Sequence, residues 1–377
     1  MRTKVLVVDD SVFMRVVLSR MLVTDPSLEV VGTAQNGVEA IEKVTALQPD
    51  VVTLDVEMPM MNGLHALKRI MAIRPTPVIM LSALTTDGAN ITFDCLKYGA
   101  FDFLIKPEGM WRFQELSEEL ITKVKAAATT PVSMLSVRTD IHLSEQVGHL
   151  GANTTPKPPQ HLHQPDHLHN PRIASSIDNG LTGPVTQIVA IGTSTGGPSA
   201  LDVVLSRLPR DLAAALVIVQ HMPPPFTESL AQRLNAHSHI EVVEAADGQC
   251  IRNGVAYIAP GGYHMEVAEH HGNFCVALNQ GDKRNQHRPS VDVLFESVAE
   301  LNAVKQHFLL MTGMGHDGAQ GMRLGKERGA KTTMVQSPES CVVSGMPKSA
   351  LELACVSDIV PLESISARLV DIINSLT

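Results

Sequence analysis

The strongest constraint on this chain is a repeated alternation of short aliphatic runs with longer amphipathic ones, met twice and broken once by a segment with neither pattern. In the first block, 4–8, 28–34, 50–54, 77–81 and 102–105 read as strands, and 11–22, 37–47, 63–74, 88–98 and 111–128 as helices. A strand followed by a helix and another strand calls for a crossover, so five such units in a row imply a parallel sheet covered on both faces. The second block resumes with strands at 187–191 and 214–219 and helices at 199–208 and 227–235. A strand-rich middle follows (240–267 and 274–278), then a helix at 291–301, a strand at 307–311 and a helix at 318–328. The expected fold class is α/β in both blocks, the second a doubly wound, mainly parallel sheet.

Between the blocks, 129–184 carries seven prolines and six of the sixteen histidines. That composition reads as a linker, which divides the chain into 1–125, 126–183 and 184–377. Its run H-L-H-Q-P-D-H-L-H (161–169) could chelate soft divalent ions, but prolines and polar neighbours supply no shell to fix ligand geometry, so a solvated tether is the expectation. With 44% apolar and only 3% aromatic residues, the cores must be aliphatic, and the single Trp111 and the seventeen methionines read as packing residues. The longest apolar run, 212–219, is far short of the ~20 residues a spanning helix needs, so no membrane insertion is expected. The first apolar run is closed at once by Asp9 and Asp10, unlike a secretory signal, and a cytoplasmic location is expected. Five scattered cysteines without a C-x-x-C pair read as buried thiols. Net charge is −9 and no block is basic, which argues against nucleic acid as a partner.

In an open parallel sheet, function collects at the carboxyl ends of the strands. Asp9 and Asp10 end the first strand, Asp55 the third, Ser82 the fourth and Lys106 the fifth. Carboxylates converging from neighbouring strands repel one another unless a cation sits between them, and a hard divalent ion such as Mg²⁺ answers that need. Lys106 adds a compact positive charge. Taken singly, each aspartate could equally be a helix cap or a loop acid.

V-V-D-D-S (7–11), T-L-D-V-E-M-P-M-M-N-G-L (53–64), M-L-S-A (80–83) and F-L-I-K-P (103–107) together resemble a two-component receiver domain, with its flavodoxin-like five-stranded sheet. The resemblance implies phosphorylation of Asp55 by a phosphohistidine of a partner histidine kinase. It also implies Mg²⁺ held by Asp9, Asp10 and Asp55, with Lys106, Ser82 and the aromatic Phe103 as the switch. Asn62 stands where the family usually has Asp.

In the second block, Q-I-V-A-I-G-T-S-T-G-G-P-S-A-L (187–201) reads as strand, tight turn and helix start. Three readings stay open for it. As a dinucleotide fingerprint it has Ser194 where a glycine should let the pyrophosphate approach. As a nucleophile elbow it raises Ser194 above the sheet beside helix-start amides. As a plain glycine-rich turn it does nothing chemical. A nucleophilic serine needs a base and an orienting acid. His221 ends the next strand, and Asp317 lies in a further strand–loop–helix junction, M-T-G-M-G-H-D-G-A (311–319). His316, His264 and His287 are alternatives that spacing does not exclude, and Asp317 could instead be a helix cap.

A-I-G-T-S-T-G-G-P (190–198), Q-H-M-P-P (220–224), A-P-G-G-Y-H-M (259–265), H-R-P-S-V-D-V-L-F (287–295), T-G-M-G-H-D-G-A (312–319) and C-V-V-S-G-M-P (341–347) resemble the catalytic domain of the chemotaxis protein-glutamate methylesterases, the CheB family. What this implies is a triad of Ser194, His221 and Asp317, with the Met314 amide and Thr195 as oxyanion candidates and no cofactor in the catalytic domain. The implied reaction is hydrolysis of glutamate methyl esters on methylated chemoreceptors, releasing methanol, together with glutamine deamidation. The receiver would act as a lid that phosphorylation loosens. Ser344 departs from the bulky residue expected between V-V and G-M-P. Against this stand a receiver with a DNA-binding output, a nicotinamide oxidoreductase and a hydrolase of another protein ester or amide. The acidic second block disfavours the first, and Ser194 inside the turn disfavours the second.

Overall fold

The computed structural model describes residues 2–106, 113–135 and 183–376. Pro107, Trp111 and the histidine-rich stretch 161–169 lie outside the described residues. In the first block, β1 (Thr3–Val8), β2 (Leu28–Ala34), β3 (Val51–Asp55), β4 (Val78–Ser82) and β5 (Asp102–Ile105) form one parallel sheet in the order β2-β1-β3-β4-β5. Helices α1 (Val12–Leu22), α2 (Gly37–Leu47), α3 (Gly63–Ile73), α4 (Thr86–Lys97) and α5 (Phe113–Thr129) cover its two faces. Side-chain caps set where these helices start: Ser11, Asn36, Asn62 and Thr85 each accept a bond from the amide three residues on. The Thr85 cap starts α4 at residue 86 rather than the expected 88. Asn62, the departure from the receiver pattern, is the cap of α3.

The second block holds a seven-stranded, all-parallel sheet in the order β14-β13-β12-β6-β7-β9-β8. Its strands are β6 (Gln187–Thr193), β7 (Ala215–Gln220), β8 (Glu241–Glu244), β9 (Val255–Ile258), β12 (Lys305–Leu310), β13 (Thr332–Gln336) and β14 (Asp358–Val360). The rest of the strand-rich middle is an antiparallel hairpin of β10 (His264–His270) and β11 (Asn273–Asn279). Helices α6 (Gly197–Leu205), α7 (Phe226–His237), α8 (Val291–Ala299), α9 (Ala319–Glu327), α10 (Gly345–Glu352) and α11 (Ile365–Ser375) complete it. The elements after 328 have no counterpart in the sequence reading. β13 is T-T-M-V-Q, and its buried Thr332, Thr333 and Gln336 hide it from any test based on apolar runs.

Two cysteines also differ from expectation. Cys250 and Cys275 face each other across an antiparallel bridge, Cα atoms 3.9 Å apart, and form a disulfide. The amide of Ile251 donates to Phe274 O and that of Val276 to Gln249 O, so the pair occupies a non-hydrogen-bonded position, where facing side chains come closest. Cys95, Cys341 and Cys355 are buried thiols, as expected.

The two sheets share a core. Phe103 of β5 stacks on Phe226 of α7, centroids 5.0 Å apart and planes 8° from parallel, and Phe93 of α4 meets the same ring edge-on. Around this contact Arg233 pairs with Asp94 at 2.9 Å, Thr130 Oγ1 donates to Val342 O, and Val342 and Val343 lie against the outer receiver core.

Candidate active site and phosphoacceptor pocket

Each sheet reverses its strand order beside its first strand, and both groups of candidate residues lie at those reversals. In the first block, ligand atoms of Asp9, Asp10 and Asp55 all lie within 4.8 Å of one another. Lys106 Nζ is 2.9 Å from Asp9 Oδ2 and 2.7 Å from Asp55 Oδ2. Burial, with the negative charge of Asp9 adding, pushes the Asp55 carboxyl up to about 6 against the pull of Lys106. One ammonium thus leaves three clustered acids undercompensated, and an all-oxygen donor set suits a hard divalent ion. Ser82 is buried at the end of β4, where its carbonyl accepts from the Lys106 amide. Phe103 is turned into the contact with Phe226 rather than to solvent.

In the second block the strand register brings the remaining candidates together. β6 and β7 pair Thr193 with Gln220, and the His221 amide donates to Thr193 O, so Ser194 and His221 follow side by side at the sheet edge. On the other flank, the Ser194 amide donates to Thr312 O. Gln220, buried, accepts from Thr193 Oγ1 at 2.5 Å and donates from Nε2 to the carbonyls of both Ser194 and His221, tying the two turns together. The glycines have steric reasons. Gly196 sits at φ 77°, and a Cβ on Gly197 would come within 1.9 Å of Gln220 Oε1. A Cβ on Gly313 would lie 2.8 Å from that of Ser194, so the loop after β12 presses directly on the serine.

His221 Nε2 lies 2.7 Å from Asp317 Oδ2, while His221 Nδ1 is buried and bonds to no protein atom among the described residues. Nε2 is therefore the nitrogen the aspartate orients, and Nδ1 is the one left without a protein partner among the described residues. Asp317 does not cap α9, whose N-cap is Gly318. It accepts instead from the Val291 and Asp292 amides at the start of α8, and from Ser290 Oγ and Asn285 Nδ2. Burial alone would raise its pKa, but His221 and these donors outweigh burial and hold it well below the usual carboxylate range. Asp292 reciprocates: its Oδ1 accepts from the Gly318 and Gly321 amides at the start of α9. Two buried aspartates thus each cap the other's helix, which locks the junction supplying the acid.

The structure also sorts the alternatives. His316 is exposed, and His264 bonds to Asp282 O. His287 lies flat on His221, ring centroids 3.7 Å apart. Thr195 Oγ1 donates to Asp102 Oδ2 across the shared core at 2.6 Å, so the side chain of this oxyanion candidate is engaged by the receiver, and its backbone amide is the group that remains to serve as a candidate. Met314 lies in the half-buried loop between β12 and α9. Ser344 takes its unexpected place in a parallel bridge with Gly313, behind Ser194. Sequence reasoning missed Gln220, Asn285, Ser290 and Asp292 as supports. All but Asn285 lie in the quoted motifs, but only the tertiary contacts give them a task.

Two family models match the chain: the CheB methylesterase over residues 189–369 and the response regulator receiver domain over residues 5–118. A protein-glutamate methylesterase/protein-glutamine glutaminase of Geobacillus kaustophilus is 46% identical over 98% of this chain and 99% of its own length. A relative with the same description from Bacillus subtilis is 40% identical over 97% of both. Among solved structures, the CheB methylesterase catalytic domain of Thermotoga maritima is 41% identical, covering 49% of this chain and 98% of that one, with a TM-score of 0.48. The response regulator domain of Thermotoga maritima CheB is 47% identical over 35% and 99%, with a TM-score of 0.33. The class is thus a receiver joined to an α/β esterase domain. Within that class, the chain belongs to the CheB methylesterase family.

Proposed function

We propose that this protein hydrolyses methyl esters of glutamate side chains on chemoreceptors, that it deamidates receptor glutamines at the same site, and that phosphorylation of Asp55 by a chemotaxis histidine kinase activates it. The observation that carries the chemistry is the His221–Asp317 contact at 2.7 Å with Nδ1 unpartnered, in strand register beside Ser194. His221 Nδ1 takes the Ser194 proton as the oxygen attacks the ester carbonyl, while Asp317 keeps the proton on Nε2 and stabilises the imidazolium. The amides of Met314 and Thr195 are the donors assigned to the developing oxyanion. Methanol leaves with the proton from Nδ1, and a water activated by the same nitrogen releases the acyl group as free glutamate. A glutamine carbonyl presents the same geometry with a poorer leaving group, giving ammonia instead.

The fit of Asp9, Asp10 and Asp55 to a hard cation supports Mg²⁺ in the receiver, where the ion when bound supplies charge neutralisation for the incoming phosphoryl group. Lys106 holds the Asp55 carboxylate in place, and Asp55 supplies the nucleophilic oxygen. Three contacts support the lid: Phe103 on Phe226, Asp102 on Thr195 beside the nucleophile, and Thr130 on the 342–343 segment. Movement of Phe103 after phosphorylation would loosen the first two together, because Asp102 and Phe103 are neighbours on β5. No helix among the described residues is long and apolar enough to cross a membrane.

The test is methanol release from methylated chemoreceptor membranes, with and without a small-molecule phosphodonor. Ser194→Ala should fold and lose at least ~10³-fold in rate. Asp55→Asn should lose the response to the donor. A fully active Ser194→Ala enzyme would remove the nucleophile assignment, and an undiminished donor response in Asp55→Asn would remove the phosphoacceptor.

A further inference from the structure

The loop between β11 and α8 contains a backbone anomaly that neither fold nor family motif accounts for. Arg284 and His287 exchange both backbone hydrogen bonds, and the two residues between them, Asn285 and Gln286, stand at φ 51° and 68°. This is a two-residue turn with both central residues left-handed, a geometry that favours Asn first and Gly second. Glutamine in the second position costs on the order of 1 kcal/mol, and such strain persists only where surrounding contacts over-determine it. Those contacts are present. Asn285 Nδ2 donates to Asp317 Oδ1 and to Asp292 Oδ2, both at 2.8 Å, and Arg288 Nη1 donates to the carbonyls of Gln280 and Gly281. The residue delivered by the turn is His287, whose ring lies on that of His221 with planes 13° apart.

We propose that His287 is a positioning residue of the esterase: held by the strained Asn285–Gln286 turn, its ring covers one face of His221 and keeps that imidazole aligned with Nε2 on Asp317 and Nδ1 free for Ser194. A single hydrogen bond at Nε2 leaves the imidazole free to pivot about that bond, and a ring pressed flat against it removes the pivot. Alignment of this kind is worth a large rate factor, since misplacement by about 1 Å can cost ~10²-fold. His287 is also suited electrically. Burial first, then the positive charges of His221, Lys123 and Lys283, outweigh the attraction of Asp317 and push its pKa down to about 3. It stays neutral and does not repel the imidazolium formed when His221 takes the serine proton.

The inference rests on the Ser194–His221–Asp317 reading and is tested in the full-length, phosphodonor-treated enzyme, with Ser194→Ala showing separately whether that reading stands. His287→Ala should lower kcat for methanol release by ~10–100-fold with KM within about 2-fold. His287→Phe, which keeps a flat ring but no titratable nitrogen, should recover kcat to within about 5-fold of wild type and leave the acid limb of the pH profile in place. Nitrogen-15 spectra of the His221 ring should show the Nε2-protonated tautomer in wild type and His287→Phe, and a mixture in His287→Ala. A His287→Phe enzyme as slow as His287→Ala would mean the ring nitrogen does chemistry, and the proposal would fall. It would fall equally if His287→Ala kept wild-type kcat or an undisturbed His221 tautomer. Should His287→Ala unfold, the kcat and spectrum of His287→Phe still decide.

Discussion

Replacing Phe103 by alanine is the sharpest probe of the lid, because the contact is large and its receiver side can be removed without touching the esterase half. Phe103 is 6% exposed and stacks on Phe226 at 5.0 Å. Offset or stacked aromatic pairs contribute ~1 kcal/mol beyond burial. Full burial of a phenylalanine is worth about 1.5–3 kcal/mol, of which roughly half belongs to the face turned toward α7. The closed arrangement should therefore lose about 2 kcal/mol, and since 1.4 kcal/mol is tenfold, the open fraction should rise ~30-fold. The Arg233–Asp94 pair nearby is only half-buried and open to solvent screening, and should contribute under ~1 kcal/mol. Methanol release by the unphosphorylated Phe103→Ala enzyme should climb by up to ~30-fold, bounded by the rate of phosphorylated wild type, while Asp94→Ala changes it by ~5-fold at most. If Phe103→Ala folds normally and its basal rate is no higher than wild type, the shared aromatic core does not restrain catalysis.

Further outcomes follow from the two sites. Asp317→Asn keeps the size of the side chain but no longer stabilises the imidazolium, and kcat should drop by ~10³–10⁴-fold with little change in KM. Acid stability should report His287. Its pKa falls from 6.5 unfolded to about 3 folded, so the unfolded chain binds the extra proton and stability declines as pH drops through that window. Denaturant titrations should show wild type losing about 2 kcal/mol more than His287→Phe between pH 8 and pH 5; equal losses would contradict a neutral, half-buried ring. Because Asp55 must be ionised to attack and a cation held by Asp9, Asp10 and Asp55 would favour that form, phosphorylation by a small donor should stop on chelation of divalent ions. Persistence of phosphorylation in EDTA would argue against a cation at Asp9, Asp10 and Asp55. Finally, alkylation of unreduced protein should spare Cys250, an exposed residue, and reduction should make it reactive; ready labelling without reductant would exclude the disulfide.

The parallel sheets, the strand-end aspartates and the serine in its glycine turn were all legible from residue order alone. A period of apolar residues declares which segments are strands and which helices, and in a parallel sheet the carboxyl end of each strand is where the next loop must carry any chemistry. Ser194, His221 and Asp317 could therefore be named, but not chosen over His316, His264 and His287, since spacing says nothing about which ring reaches which carboxylate. Only the register of β6 against β7 and the mutual capping of α8 and α9 by Asp317 and Asp292 put His221, rather than His316 or His264, onto the Asp317 carboxylate. The same holds for β13, whose buried threonines and glutamine are satisfied by partners far along the chain. It holds too for Cys250 and Cys275, joined by strand pairing across a separation of 25 residues. Local patterns determined the elements and the chemistry they carry to the sheet edges. Long-range contacts decided which groups meet there, because a hydrogen bond or a stacked ring depends on distance in space, and twenty-five or a hundred residues of intervening chain leave that distance open.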